Sequence, residues 1–159
     1  DNQARDDGLT PLPMACQEGH LEIARLLLEA GAAVNQARND GATPLFIACQ
    51  NGHLECARLL LEVGAAVNQA ANSGATPLHV ACLYGHADIV RALLETNADP
   101  RVTDGDGGTP LHDASAGGHL NIVKMLVERI REIRAADAAG PRIPSRPRFA
   151  PGASPHPFR

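Results

Sequence analysis

Seven histidines and four cysteines give this chain the raw material for a metal site, an activated thiol or a disulfide. Most of them keep a fixed interval. His20, His53, His86 and His119 stand 33 residues apart, each preceded by glycine, and Cys16, Cys49 and Cys82 share the interval. A metal site needs ligands that converge on one ion. One histidine per repeat, in the same place each time, puts the rings in separate layers, and packed helices lie about 8–10 Å apart. The same spacing holds the cysteines beyond the roughly 7 Å Cα limit for a disulfide. Ser115 takes the fourth place in the cysteine series and Cys56 stands where the first unit has Ile23, so both positions want small core side chains. We therefore expect no metal and no disulfide, only buried reduced thiols of a reducing compartment. No glycine-rich phosphate loop and no nucleophile within a recognisable motif accompanies them, so neither a cofactor nor enzyme activity is expected.

The interval belongs to the whole chain. Thr-Pro-Leu begins at Thr10, Thr43, Thr76 and Thr109, and Gly-His follows nine residues after each threonine. Residues 10–42 and 43–75 are identical at 26 of 33 positions without an insertion, the mark of tandem duplication. Each unit predicts two short helices. A threonine placed to cap, with proline at the first helical position, starts the first helix. It ends near the Gly-His pair. The second helix begins at or just after the histidine, with apolar residues at three- and four-residue steps: Leu54, Ala57, Leu60 and Leu61, then Ile89, Leu93 and Leu94. Glu22 with Arg25, Glu55 with Arg58 and Asp88 with Arg91 pair along its outer side. Gly31, Gly64 and Asn97 suit a left-handed helix end, and a polar stretch such as 34–42 turns the chain back through Gly41. Two such helices cannot bury their apolar faces alone, but stacked units can. The expected fold is an all-α solenoid of helix–turn–helix units.

Composition agrees. Aromatic content is 3%, with no Trp, so the core must come from Ala, Leu, Ile and Val in thin layers. No segment reaches the roughly 18 apolar residues of a membrane span, and no signal segment opens the chain, so a soluble, intracellular and cytoplasmic protein is expected. The net charge of −4 is divided unevenly. Residues 1–128 carry seven basic and sixteen acidic side chains, net −9, whereas residues 129–159 carry seven arginines against Glu132 and Asp137, net +5. An acidic body disfavours nucleic acid, which needs a basic stripe.

With the period established, residues 40–68, DGATPLFIACQNGHLECARLLLEVGAAVN, resemble an ankyrin repeat, whose pattern centres on T-P-L-H and G-H before a leucine-rich helix. The resemblance covers four units over about residues 5–130. Pro13 and Phe46 replace the family's histidine, and Ala33 and Ala66 replace a usual aspartate, which is expected to loosen that turn. In the family the Gly-His histidine braces the turn by hydrogen bonds to backbone. The resemblance implies a non-catalytic module that binds another protein or peptide on a concave face of turn tips and first helices. In this chain those positions are Asp6, Asp7, Leu9, Gln17 and Glu18; Asn39, Asp40, Ala42, Gln50 and Asn51; Asn72, Ser73, Ala75, Leu83 and Tyr84; and Gly105, Asp106, Gly108, Ala116 and Gly117. Part of the variation between near-identical units falls here, with Glu18 against Asn51 and Gln50-Asn51 against Leu83-Tyr84. The alternative is a recognition arm of a larger enzyme or effector whose catalytic part lies outside this chain. Asn35 and Asn68 occupy the loop in which the family can be hydroxylated. A loop-structuring role is preferred for them, because Ala33 and Ala66 remove the acidic neighbour of the modified Asn.

The expected organisation is residues 1–9 as the end of a preceding repeat and entry loop, repeats at 10–42, 43–75 and 76–108, a last repeat with a long capping helix at 109–140, and a tail at 141–159. The first unit keeps Leu21, Ala24, Leu27 and Leu28, and Asp1 and Asn2 align with Val34 and Asn35, so the chain is expected to begin inside a longer array. At the other end a helical stripe runs through Ile122, Met125, Leu126, Arg129, Ile130 and Ile133 to the stop at Gly140-Pro141, and the natural C-terminus is expected nearby. The tail holds six of the twelve prolines, four arginines and no acid. Such composition favours extended conformations, and PRIPSR at 141–146 fits the P-x-x-P-x-R order of ligands for Src-homology-three domains. Self-contact between this basic tail and the acidic body is also expected.

Overall fold

The computed structural model describes Gly8 and residues 10–140. The expectations for Asp6, Asp7, Leu9 and the 141–159 tail lie outside the described residues. Eight helices follow one another in pairs: α1 Pro11–Glu18 with α2 Leu21–Glu29, α3 Pro44–Asn51 with α4 Leu54–Glu62, α5 Pro77–Leu83 with α6 Ala87–Glu95, and α7 Pro110–Ala116 with α8 Leu120–Ala139. The first helices of the pairs stack as one row, α1 on α3 on α5 on α7, and the second helices flank them as an outer row. No strand occurs among the described residues. None of the described helices is long and apolar enough to cross a membrane.

Each pair starts where a threonine caps it, with one exception. The Thr43, Thr76 and Thr109 hydroxyls accept from the N–H of Phe46, His79 and His112, three residues on, at 3.2, 3.4 and 3.3 Å. Thr10 makes no such bond. The third helical residue of α1 is Pro13, which has no N–H to give. Where that residue is histidine the cap is reciprocal: His79 and His112 take the N–H of Thr76 and Thr109 on Nδ1, at 3.0 and 2.9 Å. Phe46 cannot return the bond. Units three and four therefore enter their helices with a complete capping box, unit two with half of one, and unit one with neither bond.

At the far end of each outer helix Gly31, Gly64 and Asn97 take left-handed backbone, at φ 94°, 89° and 69°. The Glu22–Arg25, Glu55–Arg58 and Asp88–Arg91 pairs stand at 3.7, 3.9 and 3.3 Å on the outer surface. The core is one cluster running the length of the stack, with Leu45, Ile47, Leu60, Leu78, Ile89, Leu93, Ile122 and Leu126 fully or almost fully buried. Its ends differ. Cys56 and Leu59 are 2% and 6% exposed because α2 covers them, whereas their counterparts Ile23 and Leu26 in α2 are 50% and 64% exposed. At the other end α8 runs 20 residues against nine for the other outer helices, and its extension grips the unit before it. Asp137 pairs with Arg101 at 3.4 Å and Arg129 donates to Asn97 Oδ1 at 3.4 Å.

Candidate protein-binding face

Between units the chain doubles back in tight hairpin turns. Arg38 N–H donates to Ala42 O, Ala71 N–H to Ala75 O and Asp104 N–H to Gly108 O, at 2.9, 2.9 and 2.8 Å. The turn tips are stitched in a row by Asn72 N–H to Asp40 O and Gly105 N–H to Ser73 O, both 2.9 Å. Asn72 adds a side-chain bond to Asn39 O at 3.1 Å. Backbone bonding thus spaces the tips at one per unit, and polar side chains need only decorate them. Asp40 forms a two-point pair with Arg38 (2.8 and 3.1 Å), whose guanidinium holds the carboxyl below its ordinary range. Asp104 accepts from the N–H of Gly108 and Asp106 on one oxygen, and these bonds lower its pKa too.

The residues singled out for this face divide by exposure. Glu18, Asn39, Asp40, Asn51, Asn72, Ser73, Gly105, Asp106, Ala116 and Gly117 are exposed, and Gln17, Gln50, Ala75 and Gly108 are half-buried. Ala42 is a correction. It is fully buried, its N–H held by Asp40 Oδ1 at 3.1 Å and its carbonyl by Arg38, so it supports a turn and offers nothing to a partner. Leu83 and Tyr84 are 39% and 52% exposed at the end of α5, where the first two units carry Gln17-Glu18 and Gln50-Asn51. An aromatic and a leucine open to water side by side are unfavourable unless something covers them.

The family model for ankyrin repeats, three copies long, matches residues 1–71 and again 64–137. The chain belongs to the ankyrin repeat family. No curated protein matches it. Ankyrin repeats are generally protein–protein interaction modules, and the family is typically non-catalytic.

In this ankyrin stack the recurring histidines work between units. His53, His86 and His119 donate from Nε2 to the carbonyls of Gln17, Gln50 and Leu83 in the preceding unit, at 2.9, 3.1 and 3.1 Å. A carbonyl only accepts, so each ring carries its proton on Nε2. The asparagines reach the other way: Asn35 Oδ1 accepts from Ala66 N–H at 3.0 Å and Asn68 Oδ1 from Asp99 N–H at 3.1 Å. Their side chains bond to backbone, across the layer rather than within their own loop. The four cysteines are buried free thiols. Burial pushes Cys16 and Cys82 up to about 12 and raises Cys49 and Cys56 as well.

One constellation has no counterpart in the sequence argument. His79, Asp104 and Asp113 bring ligand-type atoms within 4.8 Å of one another. Both ring nitrogens of His79 are already engaged, Nδ1 with Thr76 and Nε2 donating to Gly108 O at 3.0 Å. Asp104 is committed to its turn. The donor set is spent on structure and leaves no ring nitrogen for an ion. Asp113 is different: it is half-buried, and burial raises its pKa, helped by Asp104 and opposed by His79 and His112. No spacing rule would find it, since the counterparts of Asp113 in the other units are Met14, Ile47 and Val80. On the outer side, a groove of about 450 Å³ between α6 and α8 is lined by Leu94 and Met125, with the cations Arg91, Lys124 and Arg129 and the carboxylates Glu95, Glu128 and Glu132. Its charges balance and select no partner by sign.

Proposed function

We propose that this ankyrin array is a non-catalytic adaptor that binds another protein or peptide across its turn tips and the ends of its inner helices, the concave side in this family. The observation that carries the reading is the exposed Leu83–Tyr84 pair, which stands where the first two units carry the polar Gln17-Glu18 and Gln50-Asn51. An aromatic near the middle of an interface is the usual anchor, and cutting it to alanine often costs about 2 kcal/mol or more of binding. Tyr84 is the C-cap of α5, where its backbone N–H bonds to Val80 O, and it is 52% exposed, so its truncation should leave the helix bonding intact. The test takes partners recovered by proximity labelling and re-measures each with purified variants. Tyr84→Ala should weaken binding roughly 30-fold, the equivalent of about 2 kcal/mol, with unchanged melting. Arg58→Ala, on the outer row, should leave affinity unaltered. The opposite pattern, loss with Arg58→Ala and none with Tyr84→Ala, overturns the assignment.

A further inference from the structure

We propose that the surface formed by Leu83, Tyr84 and the carboxylates of Asp106 and Asp113 takes an arginine-rich, acid-free segment, and that the occupant is this chain's own residues 141–159. The inference rests on the reading of that face as the binding face.

The surface is continuous. Leu83 accepts through its carbonyl from His119, and a side chain at Gly117 would lie 3.0 Å from that carbonyl. Gly117 N–H bonds to Asp113 O, one helical turn back along the same inner row. Asp113 in turn lies within 4.8 Å of Asp104, whose turn presents Asp106. An apolar pair thus shares this surface with the carboxylates of Asp106 and Asp113, which make no side-chain hydrogen bond among the described residues. Asp104 is held by its own turn, and Arg38 pairs with Asp40 one unit or more away along the chain.

The segment's chemistry matches in order as well as in sign. Its arginines sit next to apolar residues three times, as Arg142-Ile143, Arg148-Phe149 and Phe158-Arg159, and it contains no Asp or Glu. Its point of departure is also favourable. Asp137, three residues before Gly140, pairs with Arg101, and Arg101 is three residues before Asp104. Gly140, which precedes the segment, is thus tied through Asp137 and Arg101 to the loop that carries the acidic turn. Its 19 residues at about 3.1 Å each in an extended proline-rich conformation reach roughly 60 Å. The whole row of four inner helices, spaced about 10 Å apart, spans only about 30 Å. Tethering supplies an effective concentration on the order of millimolar, so a dissociation constant of about 1 mM for the free segment keeps the surface covered about half the time.

Tyr84 is the only tyrosine and there is no tryptophan, so tyrosine emission reports on this one place. The experiment measures acrylamide quenching of the full chain against the full chain carrying Arg142→Glu, Arg146→Glu and Arg148→Glu. At low salt the reversed chain should quench about twofold more strongly, as half coverage requires. Added salt should bring the parent chain up to the same value. The pair Asp106→Asn and Asp113→Asn should expose Tyr84 to a similar degree. Equal quenching of parent and reversed chains at low salt overturns the proposal. Exposure by the arginine changes but not by the aspartate changes overturns the site, and shielding that grows with protein concentration overturns the intramolecular occupant. No external partner enters this assay. If Tyr84 is unshielded yet Tyr84→Ala still weakens a partner, only the self-contact falls.

Discussion

Leu26 and Leu59 are the same residue at the same place in two units that share 26 of 33 positions, yet one is 64% and the other 6% exposed. Cutting each to alanine isolates what the neighbouring layer contributes. At Leu59 the change removes three buried carbons from between α2 and α4 and leaves a cavity that rigid helices fill only in part. Comparable core truncations cost about 2.7–5 kcal/mol, and about 3 is expected here. At Leu26 only about a third of the side chain is withdrawn from water. A buried leucine is worth about 1.5–3 kcal/mol, so the loss should stay under about 1. Urea unfolding followed by far-ultraviolet circular dichroism reads the difference as a shift in midpoint at constant slope. In a thermal scan the Leu59→Ala variant should melt roughly 10 °C lower, and Leu26→Ala within a few degrees of the parent. Equal losses at the two sites would refute the reasoning, because they would mean that α2 is covered in solution as fully as α4.

Two further outcomes follow from the titrating groups, and both are checked on the free protein. Burial raises the folded pKa of Asp113 above its ordinary 3.8, so its charge opposes folding at neutral pH. Asp113→Asn should therefore stabilise at neutral pH, by less than about 1 kcal/mol for a partly exposed group. The gain should shrink as pH falls through the raised folded value and vanish below 3.8; a constant gain down to acid pH would contradict it. Cys16 and Cys82 stand near 12, with Cys49 and Cys56 also raised, so none of the four thiols should react with a disulfide reagent at neutral pH until the chain unfolds. A fast-reacting thiol in the native protein would contradict the buried packing.

Whatever lies within one unit could be read from residue types. Threonine before proline marked the helix starts, and Gly31, Gly64 and Asn97 marked where the outer helices end in left-handed backbone. Even the missing cap bond at Thr10 is written in Pro13, a residue noticed as a departure but not as a lost donor. What lies between units was harder to see. The histidine bonds join residues 36 apart and the asparagine bonds residues 31 apart, and neither interval is the period. They depend on how far one layer rotates and slides over the next. Ala42 was misplaced for the same kind of reason, since turn residues point outward or inward according to hairpin geometry and not according to size. Asp113 stood out of sight because its counterparts are apolar core residues, and only the close approach of Asp104 and His79 gives it meaning.

The hydrogen bonds that join one unit to the next reach 29 to 36 residues along the chain. On a ribosome this matters. No residue has to wait for a partner made much later, so each layer can settle on the one before it soon after it leaves the exit tunnel. Synthesis at roughly 5–20 residues per second brings out one unit every few seconds, far longer than a short helix pair needs to form. The leucine-rich α2 is followed one unit later by α4, which packs against it. Across the described units the stack can grow vectorially, each layer docking on the one before, and the long α8 helix fastens the layer already in place.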